Sequence, residues 1–214
     1  MPQREYAYNK IRNAITYGEL QPGERLIEKK LCEIFKVGRT PLREALSQLQ
    51  IEGYLDFIPN KGVTINRISI SHVEEIYNIL TILESYATEL ATKNIDKENE
   101  RELRSIHNDL KRAWAKKDYK TWLDKNAEFH EYFIKATGNS SLNTLVKSLR
   151  NRIYRYRLIA MTIPDSVNEY FRSHEEILEA ISKNDAKRAG KAMERHVSFV
   201  AKKLVEFLRQ VPGF

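Results

Sequence analysis

The chain has almost no cysteine: its one thiol, Cys32, can form no intrachain disulfide and points to a reducing compartment. No stretch approaches the roughly 18 consecutive apolar residues of a membrane helix. The opening Met1-Pro2-Gln3-Arg4-Glu5 lacks the apolar core of a secretory signal, so a cytoplasmic chain without a membrane partner is expected. Nucleophile motifs, phosphate loops, internal repeats and low-complexity tracts are likewise missing. What is present is a folded-protein balance, 42% hydrophobic and 30% charged over 214 residues, enough for one large or two small domains.

A concentrated basic field is also lacking. The net charge is +7, but it divides into +3 for residues 1–68 and +4 for the remainder. Any contact with nucleic acid must therefore come from local placement of particular cations rather than from bulk charge.

Periodicity divides the chain into two domains, 1–68 and 69–214. In the first, Tyr8, Ile11, Ala14 and Ile15 recur at helical spacing over residues 6–17, and Gly18 stops the run. A second helix spans Glu28 to Phe35, with Leu31, Ile34 and Phe35 expected to face inward and Cys32 expected to be buried. A third begins at Thr40-Pro41, read as cap and first helical residue, and buries Leu42, Ala45, Leu46 and Leu49 before Gly53 closes it. Arg43, Ser47 and Gln50 share its polar face, and Arg39 sits just before it. Two guanidinium groups thus lie where a helix pointed into a major groove makes its contacts. The segments 54–58 and 63–66 read as strands joined by Pro59-Asn60-Lys61-Gly62. Three helices and a hairpin make a winged helix-turn-helix.

Beyond residue 68 the pattern is almost purely helical. Ser71 and Glu74 suggest a capping box before a helix to about Asn94, and helices over 97–116, 119–137, 141–161, 166–183 and 185–210 complete an antiparallel six-helix bundle. The fold class is mainly α. Three histidines lie on apolar faces of three different helices: His130 with Leu123, Phe133 and Ile134; His174 with Phe171, Ile177 and Leu178; His196 with Met193, Val197 and Val200. Asn126 precedes His130 by one turn. Such imidazoles either converge on a zinc or nickel ion or serve as hydrogen-bonded core residues. Periodicity does not choose between these, since His107 occupies an apolar stripe too.

Two sets of motifs carry a resemblance. Ile15, Gly18, Leu20, Pro22-Gly23, Leu26, Glu28, Leu31, the run Val37-Gly38-Arg39-Thr40-Pro41-Leu42-Arg43-Glu44-Ala45-Leu46, and Pro59 and Gly62 resemble the GntR family of bacterial transcription regulators. Asn126-Ala127-Glu128-Phe129-His130, Gly138-Asn139, Ser173-His174-Glu175-Glu176-Ile177 and Met193-Glu194-Arg195-His196 are similar to the metal-binding FCD domain of its FadR-like branch. The resemblance implies a homodimer on a pseudo-palindromic double-stranded operator. Arg39, Thr40 and Arg43 would contact DNA, with Lys29 beside them and Lys61-Gly62 at the minor groove. It implies a divalent transition metal, zinc or nickel, on Asn126, His130, His174 and His196, and control by a small carboxylate metabolite.

Three positions depart from the family. Gly38 stands where serine is usual, Asn126 where aspartate is usual, and Leu80 where many members carry an effector-binding arginine. Asparagine coordinates through its carbonyl and brings no charge. Arg152, following Leu145 and Leu149 around its helix, is the expected replacement for the missing arginine, with Tyr156 beside it. A regulator rather than an enzyme is expected; the alternatives are a metal-dependent hydrolase using Glu128 or Glu131 as base, and a regulator whose metal is purely structural.

Overall fold

The computed structural model describes residues 2–16, 18–58, 62–66, 69–163 and 166–210. They form ten helices and one two-stranded sheet in two compact units, Met1–Ser69 with Lys147–Arg155, and Ile70–Val146 with Tyr156–Phe214. The stretch 147–155 thus groups with the N-terminal unit, whereas periodicity had placed it in the bundle.

The N-terminal unit contains α1 (Gln3–Thr16), α2 (Glu28–Phe35), α3 (Arg39–Ile51), β1 (Leu55–Ile58) and β2 (Gly62–Ile65). Ile11, Leu42, Ala45 and Leu49 are completely buried and form a common core with Leu31, Leu46, Leu55 and Ile65. Burying such side chains contributes roughly 1.5–3 kcal/mol each, which is what makes so small a unit fold. The strands pair antiparallel with Leu55 opposite Ile65 and Ile58 opposite Gly62. A third segment joins them: Leu26 N–H donates to Val63 O, Gly23 N–H to Ile65 O, and Ile65 N–H to Glu24 O, at 2.8–2.9 Å.

Several local expectations change. α3 starts two residues earlier than expected, at Arg39, with Gly38 as its cap and no side-chain capping bond. Thr40 is therefore inside the first turn, where Pro41 is still tolerated because the first N–H groups have no intrahelical partner. Ile34 is exposed at 58%, since Leu31 and Phe35, one turn apart, define the narrow inner stripe of this eight-residue helix. Cys32 is half-buried rather than buried. Gly53, at φ +84°, turns the chain out of α3, and its Cα lies against Arg152, whose Cγ would be 2.8 Å from an added Cβ. Tyr54 donates to Asn151 Oδ1 at 3.2 Å, and Tyr154 packs on the same core. These contacts place 147–155 with the winged helix.

The second unit is built from α4 (Ile70–Thr92), α5 (Lys97–Ala115), α6 (Tyr119–Ala136), the start of α7 (Ser140–Arg152), α8 (Tyr154–Thr162), α9 (Ser166–Ser182) and α10 (Ala186–Leu208). α4 runs along α10 and α6; α9 packs on α10 and α5, and α5 on α6. α4 begins at Ile70, which puts Ser71 within the helix rather than at its cap. The expected helix over 141–161 is broken at Ile153 into α7 and α8. No glycine or proline marks that break; it falls within the stretch whose Asn151, Arg152 and Tyr154 are engaged by the winged-helix unit.

Two joints share one design. Lys117 and Asn184 adopt left-handed φ angles of 57° and 51°, and the aspartates that follow, Asp118 and Asp185, cap α6 and α10 by accepting from Thr121 N–H and Arg188 N–H. These caps fix where His130 and His196 fall on their helices. α4 and α10 approach closely at Gly190, where a Cβ would lie 3.1 Å from Ser85 O and from Glu89 Cβ.

Candidate nucleic-acid interface and metal centre

The polar face of α3 is exposed. Arg39, Thr40, Arg43, Ser47 and Gln50 are all solvent-facing, as is Lys29 on α2, because the buried stripe Leu42-Ala45-Leu46-Leu49 occupies the opposite side. Arg43 Nε donates to Glu28 Oε2 at 2.9 Å, linking the first residue of α2 to α3. Gly62 has φ +79°, a conformation glycine adopts without steric cost, and a Cβ added there would lie 4.0 Å from the Arg25 guanidinium. Lys61 lies outside the described residues. Arg25 escaped the sequence reading because nothing in a lone arginine after a Pro-Gly turn signals that its segment will lie against β2.

In the helical unit, His130, His174 and His196 come from α6, α9 and α10, and each is at least 95% buried. One nitrogen from each lies within 4.8 Å of the others. His174 Nε2 and His196 Nε2 are 3.3 Å apart. Two nitrogens each about 2.05 Å from one tetrahedral ion stand about 3.3 Å apart, so this spacing fits a shared metal. The far nitrogens are oriented by other groups. His130 Nδ1 meets Glu84 Oε2 on α4 at 2.8 Å, and His196 Nδ1 meets Ser173 Oγ at 2.6 Å. Holding Nδ1 in this way fixes ring orientation and leaves Nε2 as the atom that could coordinate a metal.

Aromatic rings wall the cluster. Phe129 stacks on His174 with centroids 4.2 Å apart and an interplanar angle of 12°, and Tyr170 meets His196 edge-on at 6.3 Å. Burial pushes the Tyr170 hydroxyl up to about 12, so it stays protonated at all ordinary pH. His107 sits 5.6 Å from the His174 ring. Burial, reinforced by Lys111, lowers its pKa and favours the neutral imidazole.

Asn126 is half-buried one turn before His130 on α6. The two candidate bases of a hydrolase point elsewhere: Glu128 pairs with Lys125 at 2.7 Å and Glu131 with Lys135 at 2.9 Å. The carboxylate that does reach the cluster is Glu84, 2% exposed. Sequence reasoning missed it because it lies 46 residues before His130 in a long, otherwise apolar helix face. Arg152 lays its side chain against Gly53 in the winged-helix unit, whereas Tyr156 is buried in the helical unit. Its neighbour Arg157, 8% exposed, is the one Lys or Arg buried in that unit among the described residues. A separate cleft of about 540 Å³ opens between α4, α5 and α6, lined by Ala91, Glu102, Ile106, Glu128 and Tyr132 among others, and none of the histidines lines it.

Comparison with known proteins supplies the context. Residues 75–199 match the FCD domain, and residues 3–65 match the family described as bacterial regulatory proteins, gntR family. Over 211 residues the chain is 28% identical to the HTH-type transcriptional regulator YdhC of Bacillus subtilis, covering 95% of this chain and 91% of that protein. It is 23% identical to the HTH-type transcriptional repressor RspR of Escherichia coli, covering 98% and 90%. Among solved structures it superposes on E. coli McbR/YncC with a TM-score of 0.79 at 23% identity, covering 98% of both chains.

Proposed function

The chain belongs to the gntR family of bacterial regulatory proteins, in its FCD-domain branch, and from that premise we propose how this transcriptional regulator is controlled. It binds a pseudo-palindromic operator as a homodimer in the cytoplasm, each protomer presenting Arg39, Thr40 and Arg43 of α3 to the major groove, Lys29 to the adjoining phosphates and Lys61-Gly62 to the minor groove. Two recognition helices related by a two-fold axis read enough base pairs for a specific site, and one does not.

The helical unit holds a divalent transition metal, zinc or nickel, through Nε2 of His130, His174 and His196 with the Asn126 carbonyl as fourth ligand. The convergence of three buried imidazoles from three helices carries this reading. The metal supplies a Lewis-acidic position, and four protein ligands leave a larger ion room for an oxygen donor. A small carboxylate metabolite fits there. We assign its negative charge to Tyr156 and Arg157, both buried in the helical unit; the expected Arg152 belongs to the other unit. Binding shifts operator affinity to the extent that the effector favours one arrangement of the dimer over another.

The test is metal analysis of the purified chain, followed by a thermal-shift screen of zinc- and nickel-loaded protein against small carboxylates and sugar acids. A carboxylate that raises the melting temperature of loaded protein and alters binding to an operator duplex supports the reading. Metal-free protein with intact, ligand-responsive operator binding overturns it. A large chelator-sensitive melting shift with no response to any carboxylate favours a structural metal instead.

A further inference from the structure

Of the cations on the reading face, one is already engaged. Arg43 Nε donates to Glu28 Oε2 at 2.9 Å, although the Arg43 side chain is 67% exposed and that of Glu28 36%. Among the described residues no carboxylate lies within ion-pair distance of Lys29 or Arg39. An exposed pair contributes about 0–1 kcal/mol to stability, so folding does not account for placing an acid on a DNA-facing surface, where it repels phosphates.

We propose that Glu28 is a positioning residue that makes Arg43 a base reader and keeps it from acting as a general phosphate anchor. The proposal rests on the reading of Arg43 as an operator contact. Two consequences follow from the chemistry of the fork. With Nε occupied, the edge carrying the two terminal nitrogens is left outward, and that edge supplies two parallel donors to guanine O6 and N7. Tethering the guanidinium to α2 also limits its rotamers, so less freedom is lost on meeting a base. The carboxylate offsets the charge of Arg43. Attraction to arbitrary phosphates falls, while a base that satisfies both donors retains its hydrogen bonds. Specificity here comes from weakening the wrong complex as much as from strengthening the right one.

The experiment uses the full chain, a duplex enriched by in vitro selection and a scrambled duplex of equal length, each titrated at two salt concentrations. Wild type, Glu28→Ala, Glu28→Gln and Arg43→Ala are compared, with melting curves for all four. Glu28→Ala is expected to bind the scrambled duplex more tightly, with a steeper salt dependence, and to lose about tenfold in the selected-to-scrambled ratio. Glu28→Gln, whose amide oxygen still accepts from Nε, is expected to keep its affinity for the selected duplex while gaining affinity for the scrambled one. Being nearly isosteric, it carries the test should Glu28→Ala fold poorly. A ratio in both Glu28 variants within twofold of wild type, with Arg43→Ala reducing it, overturns the proposal. An unchanged ratio in Arg43→Ala overturns the underlying reading instead.

Discussion

Replacing Glu84 with glutamine removes a charge without removing bulk, and its effect on metal affinity can be estimated. The carboxylate is 2% exposed and contacts His130 Nδ1 at 2.8 Å, so almost no solvent screens its influence on the ring. In the proposed centre a carboxylate on Nδ1 raises the basicity of Nε2, and the loss of such a partner typically costs about 10–100-fold in metal affinity, or about 1.4–2.7 kcal/mol. With zinc at a thousand times the wild-type Kd, wild type gains about 4.1 kcal/mol on loading, and a variant binding a hundredfold more weakly gains about 1.4. For a chain of this size the zinc-induced rise in melting temperature should therefore shrink by about 3–11 °C. The assay is a thermal melt with and without zinc, paired with competition against a chelator of known affinity. Wild-type zinc affinity in Glu84→Gln, with His174→Ala losing it, would refute the orienting role of Glu84; wild-type affinity in His174→Ala would refute the centre itself.

Further outcomes are expected elsewhere in the chain. Burial, with the Glu52 carboxylate that accepts its proton, pushes the Tyr8 hydroxyl from its ordinary 10.0 up to about 12. The unfolded chain therefore loses this proton before the folded one does, and the stability associated with it is present below pH 10 and lost as pH rises through 12. Urea titrations across that interval should show a decline that Tyr8→Phe reduces. Gly190→Val should destabilise the helical unit by about 1–3 kcal/mol in denaturant titration, because added methyls meet the α4 backbone at Ser85 O; full stability would show that α4 and α10 can separate at no cost.

The legible parts of the molecule were those with local signals. The buried stripe of α3 and the inward placement of the three histidines follow from a period of 3.6 within one segment, while the grouping of those histidines, and not His107, came from motif resemblance. What was not legible depends on segments far apart in sequence. Glu84 is an ordinary acid until α4 packs on α6, and Arg25 is an ordinary turn residue until its backbone pairs with Thr64. The break at Ile153 has no breaker residue because its cause is tertiary: Asn151 and Arg152 are held by Tyr54 and Gly53. Ile34 failed for the opposite reason. Two turns of helix are too short for periodicity to separate the inner stripe from its edge.

The backbone bonds from Gly23, Glu24 and Leu26 to β2 have a genetic consequence. Segment 23–26 and β2 form one hydrogen-bonded strip, so a change in the Pro22-Gly23 turn displaces β2 through the backbone without touching it. Screens for altered operator binding should therefore return two separate groups of positions with one phenotype, the hairpin itself and residues 22–26, while strains altered at Ser47 or Gln50 form a different class.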